Sequence, residues 1–352
     1  MFVNGLGTAN PTQRYSKADC WEAFRTSDWF LKLDRRARIF VEAVLMKDNG
    51  IAFRSLAVAT LTEAFHIDPD TLHARFLANA PALGTAAGLS ALHEASLAAH
   101  EIDGLVISTC TGYLCPGLTS YIVERLGLRA DILAFDLVGQ GCAAALPNWR
   151  LAKALLAAGS CKHVLSICVE VSSAALYLDN DPGVLISACL FGDGAGAAVL
   201  SAMPSSKRRK LEWKSSASVI NPAERNALLF ESRNGMLRNI LTRPVPRLAA
   251  EHAEQVLQTV LGAAGLESGD ISTWIMHAGG RDVLTALRSR LNITAEDLRY
   301  SADMLHQYGN MSSAFVYFVL QAALQDNASP GWWWMSSFGA GFSCHGALLK
   351  AA

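Results

Sequence analysis

The sequence carries little charge, and its two signs nearly cancel. Only 17% of its 352 residues are charged, against about 25% in an average protein, and 30 Lys and Arg residues face 31 Asp and Glu residues. A neutral chain creates no overall field, so we expect it to bind neither nucleic acid nor a membrane surface. With 51% apolar residues, a disordered chain is excluded. The composition instead indicates extensive burial, in a large core or against a second copy, and a homo-oligomer is predicted.

The usual signatures of metal, disulfide and redox sites are also missing. The eight cysteines are scattered through apolar stretches without a CxxC pair or a Cys/His metal-ligand spacing, and no signal peptide stands ahead of them. We therefore predict free, mostly buried cysteines in a cytoplasmic protein without a metal site. No glycine-rich dinucleotide fingerprint follows an early strand, so no redox cofactor is expected.

One long stretch, residues 327–349, has no Asp, Glu, Lys or Arg. It is long enough to cross a bilayer. Pro330, His345 and several glycines and serines argue against a lipid-exposed helix. We interpret the stretch as a buried strand, a glycine turn and a second buried strand.

Short apolar runs alternate with longer helical patterns along the chain. Strands are predicted at residues 3–8, 104–109, 132–137, 164–169 and 196–200, with helices at 85–99, 120–126 and 143–158. This alternation predicts a mostly parallel sheet covered by helices on both faces. A basic cluster at residues 207–210 interrupts the pattern as an exposed connector, after which the alternation resumes. Because a chain of this length usually exceeds one core, we predict two similar halves, residues 1–205 and 206–352.

Cys142 follows an apolar strand and the glycine turn Val138-Gly139-Gln140-Gly141, and it begins a helix of small residues. The positive end of a helix favours thiolate over thiol, and the glycines allow a substrate to approach the backbone. The pattern therefore predicts a nucleophile, with a buried packing cysteine as the alternative. Its partners decide between the two.

Two further polar residues are candidates for those partners. His277 ends an apolar strand and precedes Ala278-Gly279-Gly280, so its ring is expected at the edge of the sheet where ligands bind. The alternative is a core histidine. Asn310 lies in a glycine turn that opens a helix, where an N-cap is the alternative. Beside a histidine, its neutral amide would stabilise the enolate or oxyanion formed when a malonyl group loses carbon dioxide.

The blocks around these residues, GQGCAAALP, WIMHAGGR and YGNMSS, together resemble the Cys-His-Asn triad of the type III polyketide synthases, the chalcone and stilbene synthase superfamily. Further blocks match in order along nearly the whole chain: GLGTANP near the start, STCTGY, LFGDG, and SFGAGF near the end. The resemblance is to members of the bacterial type. It implies an α/β thiolase-like fold, in which two duplicated βαβαβ halves form a five-layer αβαβα core.

The resemblance also implies the role of each triad residue. Cys142 would carry the acyl chain as a thioester, with His277 as the imidazolium partner that keeps it ionised. His277 and Asn310 would hold the thioester oxygen of malonyl-CoA during decarboxylation, and the carbanion would attack the bound acyl group. The implied activity is an iterative decarboxylative condensation onto an acyl-CoA starter, followed by cyclisation to a resorcinol, phloroglucinol or pyrone. The CoA thioesters are substrates, and no cofactor is implied.

A gated substrate cavity is implied as well. Phe191 matches one of two phenylalanines that gate the cavity and exclude water, whereas the second gate falls in the divergent segment 235–241 and is not assigned. Ala175 replaces a larger polar residue of the plant enzymes, which predicts a roomier or longer pocket. Cys115 would enter the cavity of the partner subunit in a homodimer. The other implied substrate-binding residues are Cys110, Thr111, Glu170, Ser172, Ser312 and Gly339.

Malonyl-CoA is polyanionic, so a neutral protein must meet it with local cations. Lys47 and Arg54 lie in the segment that matches the CoA tunnel of the family. They would contact the CoA phosphates as exposed cations. Plain surface charge is the alternative for each.

Other proteins of this fold are alternatives to the polyketide synthases. Ketoacyl-ACP synthase III of fatty acid synthesis also uses Cys, His and Asn, but a Gln-Ala-Asn run typically follows its histidine, where this chain has Ala278-Gly279-Gly280. HMG-CoA synthase would need a glutamate where this chain has Asn310. A non-catalytic thiolase-like scaffold would have lost a triad residue, and none is missing. A type III polyketide synthase is therefore the predicted function, with the ketoacyl-ACP synthase as the alternative.

Overall fold

The computed structural model describes residues 1–352, which form an α/β protein. The strands are β1 (Phe2–Ala9), β2 (Arg14–Ser16), β3 (Phe53–Ser55), β4 (Gly104–Ser108), β5 (Leu133–Leu137), β6 (His163–Glu170), β7 (Gly194–Ser201), β8 (Leu211–Ile220), β9 (Leu228–Arg233), β10 (Met236–Leu241), β11 (Ile271–Met276), β12 (Gly331–Gly339) and β13 (Ser343–Ala351). The α-helices are α1 (Lys17–Arg25), α2 (Asp28–Lys32), α3 (Arg35–Met46), α4 (Pro69–Ala95), α5 (Leu118–Leu126), α6 (Ala145–Ala157), α7 (Pro182–Leu190), α8 (Val245–Ala264), α9 (Arg281–Leu291), α10 (Arg299–Tyr308) and α11 (Phe315–Gln325).

The main sheet has nine strands in the order β11-β12-β13-β8-β1-β7-β6-β4-β5. It consists of two groups that meet through β1 and β8, at the pair Phe2 and Glu212. The order β4-β6-β7-β1 in the first group repeats as β11-β12-β13-β8 in the second, with one parallel pair followed by two antiparallel pairs in each. The two groups are therefore two copies of one topology, and β5 is an additional edge strand of the first. The predicted boundary at residue 205 falls between β7 and β8.

The prediction of a mostly parallel sheet is wrong, because the sheet is mixed. β12 and β13 are joined by only three residues, and a connection that short can link only antiparallel strands. The same two strands confirm the interpretation of residues 327–349 as strand, glycine turn and strand. None of the helices combines the length and the apolar content that a membrane crossing requires.

Helices α6 and α11 lie between the two groups of strands and pack on both. Helices α4 and α5 cover the outer face of the first group, and α8 and α9 cover the outer face of the second. The five predicted layers, αβαβα, are therefore present. Helix α11 reads Phe-Val-Tyr-Phe-Val-Leu at its start and is buried on most of its circumference, as a helix in a central layer must be.

A smaller helical layer, formed by α1, α2 and α3, lies outside this sandwich. It packs on α7 around its own apolar cluster, which includes Phe24, Val41, Leu45 and Leu185. The hairpin of β9 and β10 packs on α7 as well.

Candidate active site

Cys142 lies in the connection between β5 and α6. Gly139 and Gly141 have left-handed φ values of +85° and +54°, which only glycine adopts without steric cost. Cys142 is the middle residue of the 3-10 turn Gly141–Ala143, which leads into α6. Its side chain is buried, and its Sγ accepts a hydrogen bond of 3.2 Å from Ser312 Oγ. The start of a central helix in one half therefore presents the thiol to the other half.

Burial opposes ionisation of the Cys142 thiol. It raises the pKa of the thiol to about 12, although the hydrogen bond from Ser312 acts in the opposite direction. Burial therefore opposes the thiolate that the helix N-terminus was predicted to favour. The loss of solvation outweighs the favourable helix dipole.

His277 directly follows β11, and its backbone N–H donates to the Ser336 carbonyl of β12 at 2.9 Å. Its ring packs edge-on against Phe315 and Phe338, with centroid distances of 5.4 and 5.0 Å. Burial lowers its pKa to about 3, and neither ring nitrogen has a hydrogen-bond partner in the protein. A histidine with a purely structural role would have such partners. The site therefore contains a neutral imidazole with both nitrogens free to accept or donate a hydrogen bond to a substrate.

The side chain of Asn310 links the segments that carry the other two residues. Its Nδ2 donates to the carbonyl of Gly279, two residues after His277, at 3.1 Å. Its Oδ1 accepts a bond of 2.9 Å from the backbone N–H of Ser312, whose hydroxyl reaches Cys142. This is a turn-type bond to the residue two positions on, rather than the N-cap of α11.

The backbone of Asn310 also positions Phe191. The Asn310 N–H donates to the Leu190 carbonyl at 2.9 Å, and the Gly192 N–H donates to the Asn310 carbonyl at 3.0 Å. These two bonds form a β-bridge between Phe191 and Asn310. The predicted gate residue and the predicted catalytic amide are therefore held by one pair of backbone hydrogen bonds.

A buried carboxylate, Glu170, begins a chain of hydrogen-bonding side chains that ends at Cys142. Glu170 accepts bonds from the Cys110 N–H at 3.1 Å and from the Thr111 hydroxyl at 2.9 Å. The Cys110 Sγ lies 3.3 Å from a Glu170 oxygen and 3.3 Å from Ser312 Oγ, which donates to Cys142. Burial raises the pKa of the Glu170 carboxyl and of the Cys110 thiol. Four residues predicted to bind substrate are therefore brought together beside the thiol.

A cavity with an empty volume of about 920 Å³, part of it open to solvent, lies next to this chain of side chains. Of its 26 lining residues, 19 are hydrophobic, which suits a largely apolar ligand. The predicted substrate-binding residues that line it are Cys110, Thr111, Ser172, Ala175, Phe191 and Ser312.

Three other predicted substrate-binding residues lie outside this lining. Glu170 is fully buried and bonds to the lining residue Thr111. Gly339 packs against the turn that carries Cys142, where an added Cβ would lie 2.6 Å from the Ala143 nitrogen. Cys115 is exposed, on the loop before α5. Gly339 thus packs against the turn without lining the cavity, and Cys115 does not reach the cavity of its own chain.

The divergent segment 235–241 contributes Asn239 to the cavity wall. Its cross-strand neighbour on β9, Phe230, lines the cavity as well. Arg238 instead forms ion pairs with Asp179 and Asp181 at 2.7 and 2.8 Å. The second gate residue was not assigned from the sequence. In the structure, the hairpin contributes Asn239 from β10 and Phe230 from β9 to the cavity wall.

The prediction of an exposed, CoA-binding cation is wrong for Arg54. Only 9% of this residue is exposed, and its Nη1 donates to the carbonyls of Ala188 and Phe191 at 2.7 and 3.1 Å. These bonds attach β3 to the end of α7. Lys47, by contrast, is exposed at the end of α3.

The cavity wall contributed by α1 and α3 was missed by the sequence analysis. Phe24 of α1 and Val41 and Leu45 of α3 line the cavity. The signal was present, because Ala37, Val41 and Leu45 recur four residues apart and are all buried. The spacing predicts a buried helix face, although not that the face borders a cavity.

Comparison with known proteins decides the family. Residues 12–226 match the family model described as FAE1/Type III polyketide synthase-like protein, and residues 212–352 match the model of the chalcone and stilbene synthases, C-terminal domain. The protein belongs to the type III polyketide synthase family. A curated relative, the 3,5-dihydroxyphenylacetyl-CoA synthase of Streptomyces toyocaensis, is 28% identical over 342 residues, covering 94% of this chain and 84% of the relative.

Solved type III polyketide synthases have the same fold. PKS-I from the brown alga Ectocarpus siliculosus has a TM-score of 0.90 at 23% identity, covering 99% of this chain and 98% of that one. The 1,3,6,8-tetrahydroxynaphthalene synthase of Streptomyces coelicolor A3(2) has a TM-score of 0.89 at 22% identity, covering 100% and 99%. The C-terminal polyketide synthase domain of Steely1 from Dictyostelium has a TM-score of 0.87 at 23% identity, covering 99% of each chain.

The predicted family, fold and enzyme class are thus confirmed. As a type III polyketide synthase, the protein is a CoA-dependent acyltransferase that condenses malonyl-CoA with an acyl-CoA starter. The ketoacyl-ACP synthase alternative is not favoured, because both matching family models are those of the polyketide branch.

Proposed function

We propose that Cys142 is the nucleophile of this polyketide synthase and that His277 and Asn310 complete its triad. One arrangement carries the proposal: hydrogen bonds connect Cys142 through Ser312 to Asn310, and Asn310 to the loop that follows His277. Cys110 and Ser312, the residues next to the thiol in this network, also line the apolar cavity. A thioester on Cys142 would therefore extend into the cavity.

In the loading step, the sulfur of Cys142 attacks the carbonyl carbon of the starter thioester while a ring nitrogen of His277 takes the thiol proton. Burial favours the neutral forms of both groups before substrate binds. The proton is therefore proposed to move to His277 during the attack, in place of the standing imidazolium partner that the resemblance implies. The tetrahedral intermediate collapses, the C–S bond to CoA breaks, and the departing CoA thiolate receives the proton from His277.

In the extension step, His277 and Asn310 hold the thioester oxygen of malonyl-CoA. One amide N–H of Asn310 donates to Gly279, and the second remains available for this oxygen. Loss of carbon dioxide leaves an enolate, and the two donors stabilise its negative charge. The enolate carbon attacks the thioester on Cys142, a C–C bond forms, and the thiolate of Cys142 is released. Transfer of the lengthened chain back to Cys142 permits another round.

The products are proposed to be resorcinols, phloroglucinols or pyrones, formed by cyclisation of the chain in the cavity. Lys47 is proposed to contact the CoA phosphates, since it is exposed at the end of α3, a helix that borders the cavity. Arg54 no longer shares that role. The absence of a further cofactor and the cytoplasmic location stay predictions from the sequence.

A homodimer is proposed to form along β5. This strand is at the edge of the main sheet, and Leu133 and Phe135 are 39% and 37% exposed there. An apolar edge strand with unpaired backbone groups is suited to pairing with a second copy. The Thr119 hydroxyl bonds to Asp136 of β5 at 2.5 Å, which holds the loop of the exposed Cys115 near this edge. The dimer would bring Cys115 toward the partner's cavity.

The central test incubates the protein with malonyl-CoA and a panel of aliphatic and aromatic acyl-CoA starters. We expect carbon dioxide release and extended products by mass spectrometry, and an acyl adduct on Cys142. Cys142→Ala should lose the adduct, whereas Cys161→Ala, at another buried cysteine, should keep it. No extension of any CoA starter, with activity restored only by acyl carrier protein, would overturn the proposal in favour of the fatty acid branch.

The dimer has its own test. Phe135→Lys adds a charge to the β5 edge and should shift the protein from dimer to monomer in size-exclusion chromatography with light scattering. Leu31→Lys, at an exposed residue of α2, is the matched control. A wild-type protein that is monomeric at all concentrations would contradict the proposed interface.

A further inference from the structure

The cavity connects two chemically different regions. Cys110, Thr111 and Ser312 line it at the polar end, where hydrogen bonds tie them to Glu170 and Cys142. Phe24, Val41 and Leu45 also line it, and they belong to the separate apolar cluster of the α1–α3 layer. The cavity therefore extends from Ser312, which is hydrogen-bonded to Cys142, to an arm beneath the helical layer, which we call the α3 arm.

The α3 arm is suited to hydrocarbon. Its walls come from aliphatic and aromatic side chains of α1, α3 and α7, and burying methylene groups against such side chains is favourable. The empty volume of about 920 Å³ includes space open to solvent, so the nature of the lining, rather than the volume, indicates the ligand. An acyl chain that enters the arm would place its methylene groups against these side chains.

The one cation in the cavity wall does not change this preference. Arg54 donates two hydrogen bonds to the carbonyls of Ala188 and Phe191, which fix the guanidinium at the end of α7. The Cys20 and Cys189 thiols lie beside it, and burial raises the pKa of Cys189 to about 12, so that thiol stays neutral. The arm thus has neutral walls apart from one anchored charge.

We propose that the α3 arm binds the alkyl chain of an aliphatic acyl starter attached to Cys142, and that Val41 and Leu45 set the accepted chain length. The inference deepens the proposed function and rests on it. Val41 and Leu45 are one helical turn apart on the buried face of α3, so a chain growing into the arm meets them in succession. Their cluster is separate from the cores around the sheet, so the wall can change without disturbing the triad.

The experiment compares Val41→Trp and Leu45→Ala with Ile39→Trp, whose residue is 56% exposed on the opposite face of α3. Each variant is given malonyl-CoA with butyryl-, octanoyl- or lauroyl-CoA, and extended products are quantified by mass spectrometry. Val41→Trp should lower the lauroyl-to-butyryl ratio of kcat/KM by about tenfold or more, since each methylene that no longer fits costs on that order. Leu45→Ala should raise the ratio, and Ile39→Trp should leave it unchanged. Ratios within one variant cancel any general loss of folded protein.

Binding is measured in parallel, by calorimetry with lauroyl-CoA and with CoA alone, because binding does not depend on turnover. The wild type should bind lauroyl-CoA more tightly than CoA, and Val41→Trp should remove that difference. This result would support alkyl binding in the α3 arm even if no starter were extended and the proposed function failed. Unchanged ratios and unchanged binding in both Val41→Trp and Leu45→Ala would overturn the inference. A dicarboxylic acyl-CoA preferred over its alkyl counterpart, with the preference lost in Arg54→Gln, would also overturn it.

Discussion

Two helix starts, one from each half of the molecule, meet at the candidate active site. Gly141–Ala143 leads into α6 and Ser312–Ala314 leads into α11, both as 3-10 turns. The first residue of each turn has a left-handed φ, +54° at Gly141 and +50° at Ser312. Glycine adopts this conformation freely, whereas serine does so at a steric cost.

The comparison shows how a repeated backbone geometry acquires two roles. In the first turn Gly141 provides only the backbone conformation, and the side chain in the candidate site is that of the next residue, Cys142. In the second turn the strained residue itself supplies the group, because the Ser312 hydroxyl is the donor to Cys142. The Oδ1 bond of Asn310 to the Ser312 N–H helps to hold that conformation. The strained backbone conformation therefore occurs at the residue whose hydroxyl bonds to Cys142.

The largest expected effect comes from removing the amide of the second turn while the thiol of the first remains. Asn310→Ala should lower the rate of malonyl-CoA decarboxylation by about 10²–10³-fold, the usual loss for one oxyanion donor. Acylation of Cys142 by a starter should persist, as judged by intact-protein mass spectrometry. Equal loss of both steps would show that Asn310 holds the site together rather than stabilising the enolate.

The next effect concerns the pH dependence of stability. The unfolded chain binds a proton at His277 below its usual pKa of about 6.5, whereas the folded chain resists it until about 3. The wild type should therefore lose a few kcal/mol of unfolding free energy at this residue as pH falls through that window. His277→Phe, which packs against the same Phe315 and Phe338, should abolish that loss in urea titrations at neutral and acidic pH. His93→Phe, at an exposed histidine, should not, and parallel pH curves for the wild type and His277→Phe would contradict the buried neutral imidazole.

A smaller effect tests the first turn. Gly141→Ala should cost about 1–2 kcal/mol for the left-handed conformation, plus a contact of its Cβ with the Ala340 nitrogen at 3.1 Å. Gly127→Ala is the matched control, because Gly127 has a φ of +63° and no atom within 4 Å of an added Cβ. Urea titration should therefore show a larger loss for Gly141→Ala than for Gly127→Ala. Equal losses would mean that Ala340 moves aside freely.

The smallest effect tests the second turn. Ser312→Ala and Ser312→Gly both remove the hydroxyl that bonds to Cys142, but only the glycine relieves the left-handed strain. We expect Ser312→Gly to be the more stable of the two by about 1 kcal/mol, with slower acylation of Cys142 in both. If Ser312→Ala were the more stable, the conformation at Ser312 would carry no strain.

The sequence indicated Cys142, His277 and Asn310 as candidates because each lies in a block of glycines and small residues whose turn chemistry can be read locally, and hydrogen bonds link the segments that carry them. The alternation of apolar runs and helical patterns predicted the strands, whereas the five layers were implied by the family resemblance. It did not predict the mixed strand directions, since apolar strands look alike whichever way they run. The raised pKa of Cys142 and the burial of Arg54 depend on residues that are far apart in the chain and exclude water from both side chains, which local patterns do not record.

The β-bridge between Phe191 and Asn310 has a consequence for redesign. A substitution that moves the backbone of Phe191, the predicted gate residue, should also move Asn310, because the two segments share a pair of backbone hydrogen bonds. Altering substrate range at Phe191 should therefore disturb decarboxylation and selectivity together. Val41 and Leu45 in the α3 arm offer a separate place to change the substrate range, since their apolar cluster is distinct from the core that contains Cys142 and Phe191. New starter ranges should be more accessible there, by mutation in the laboratory or in evolution, than at the gate.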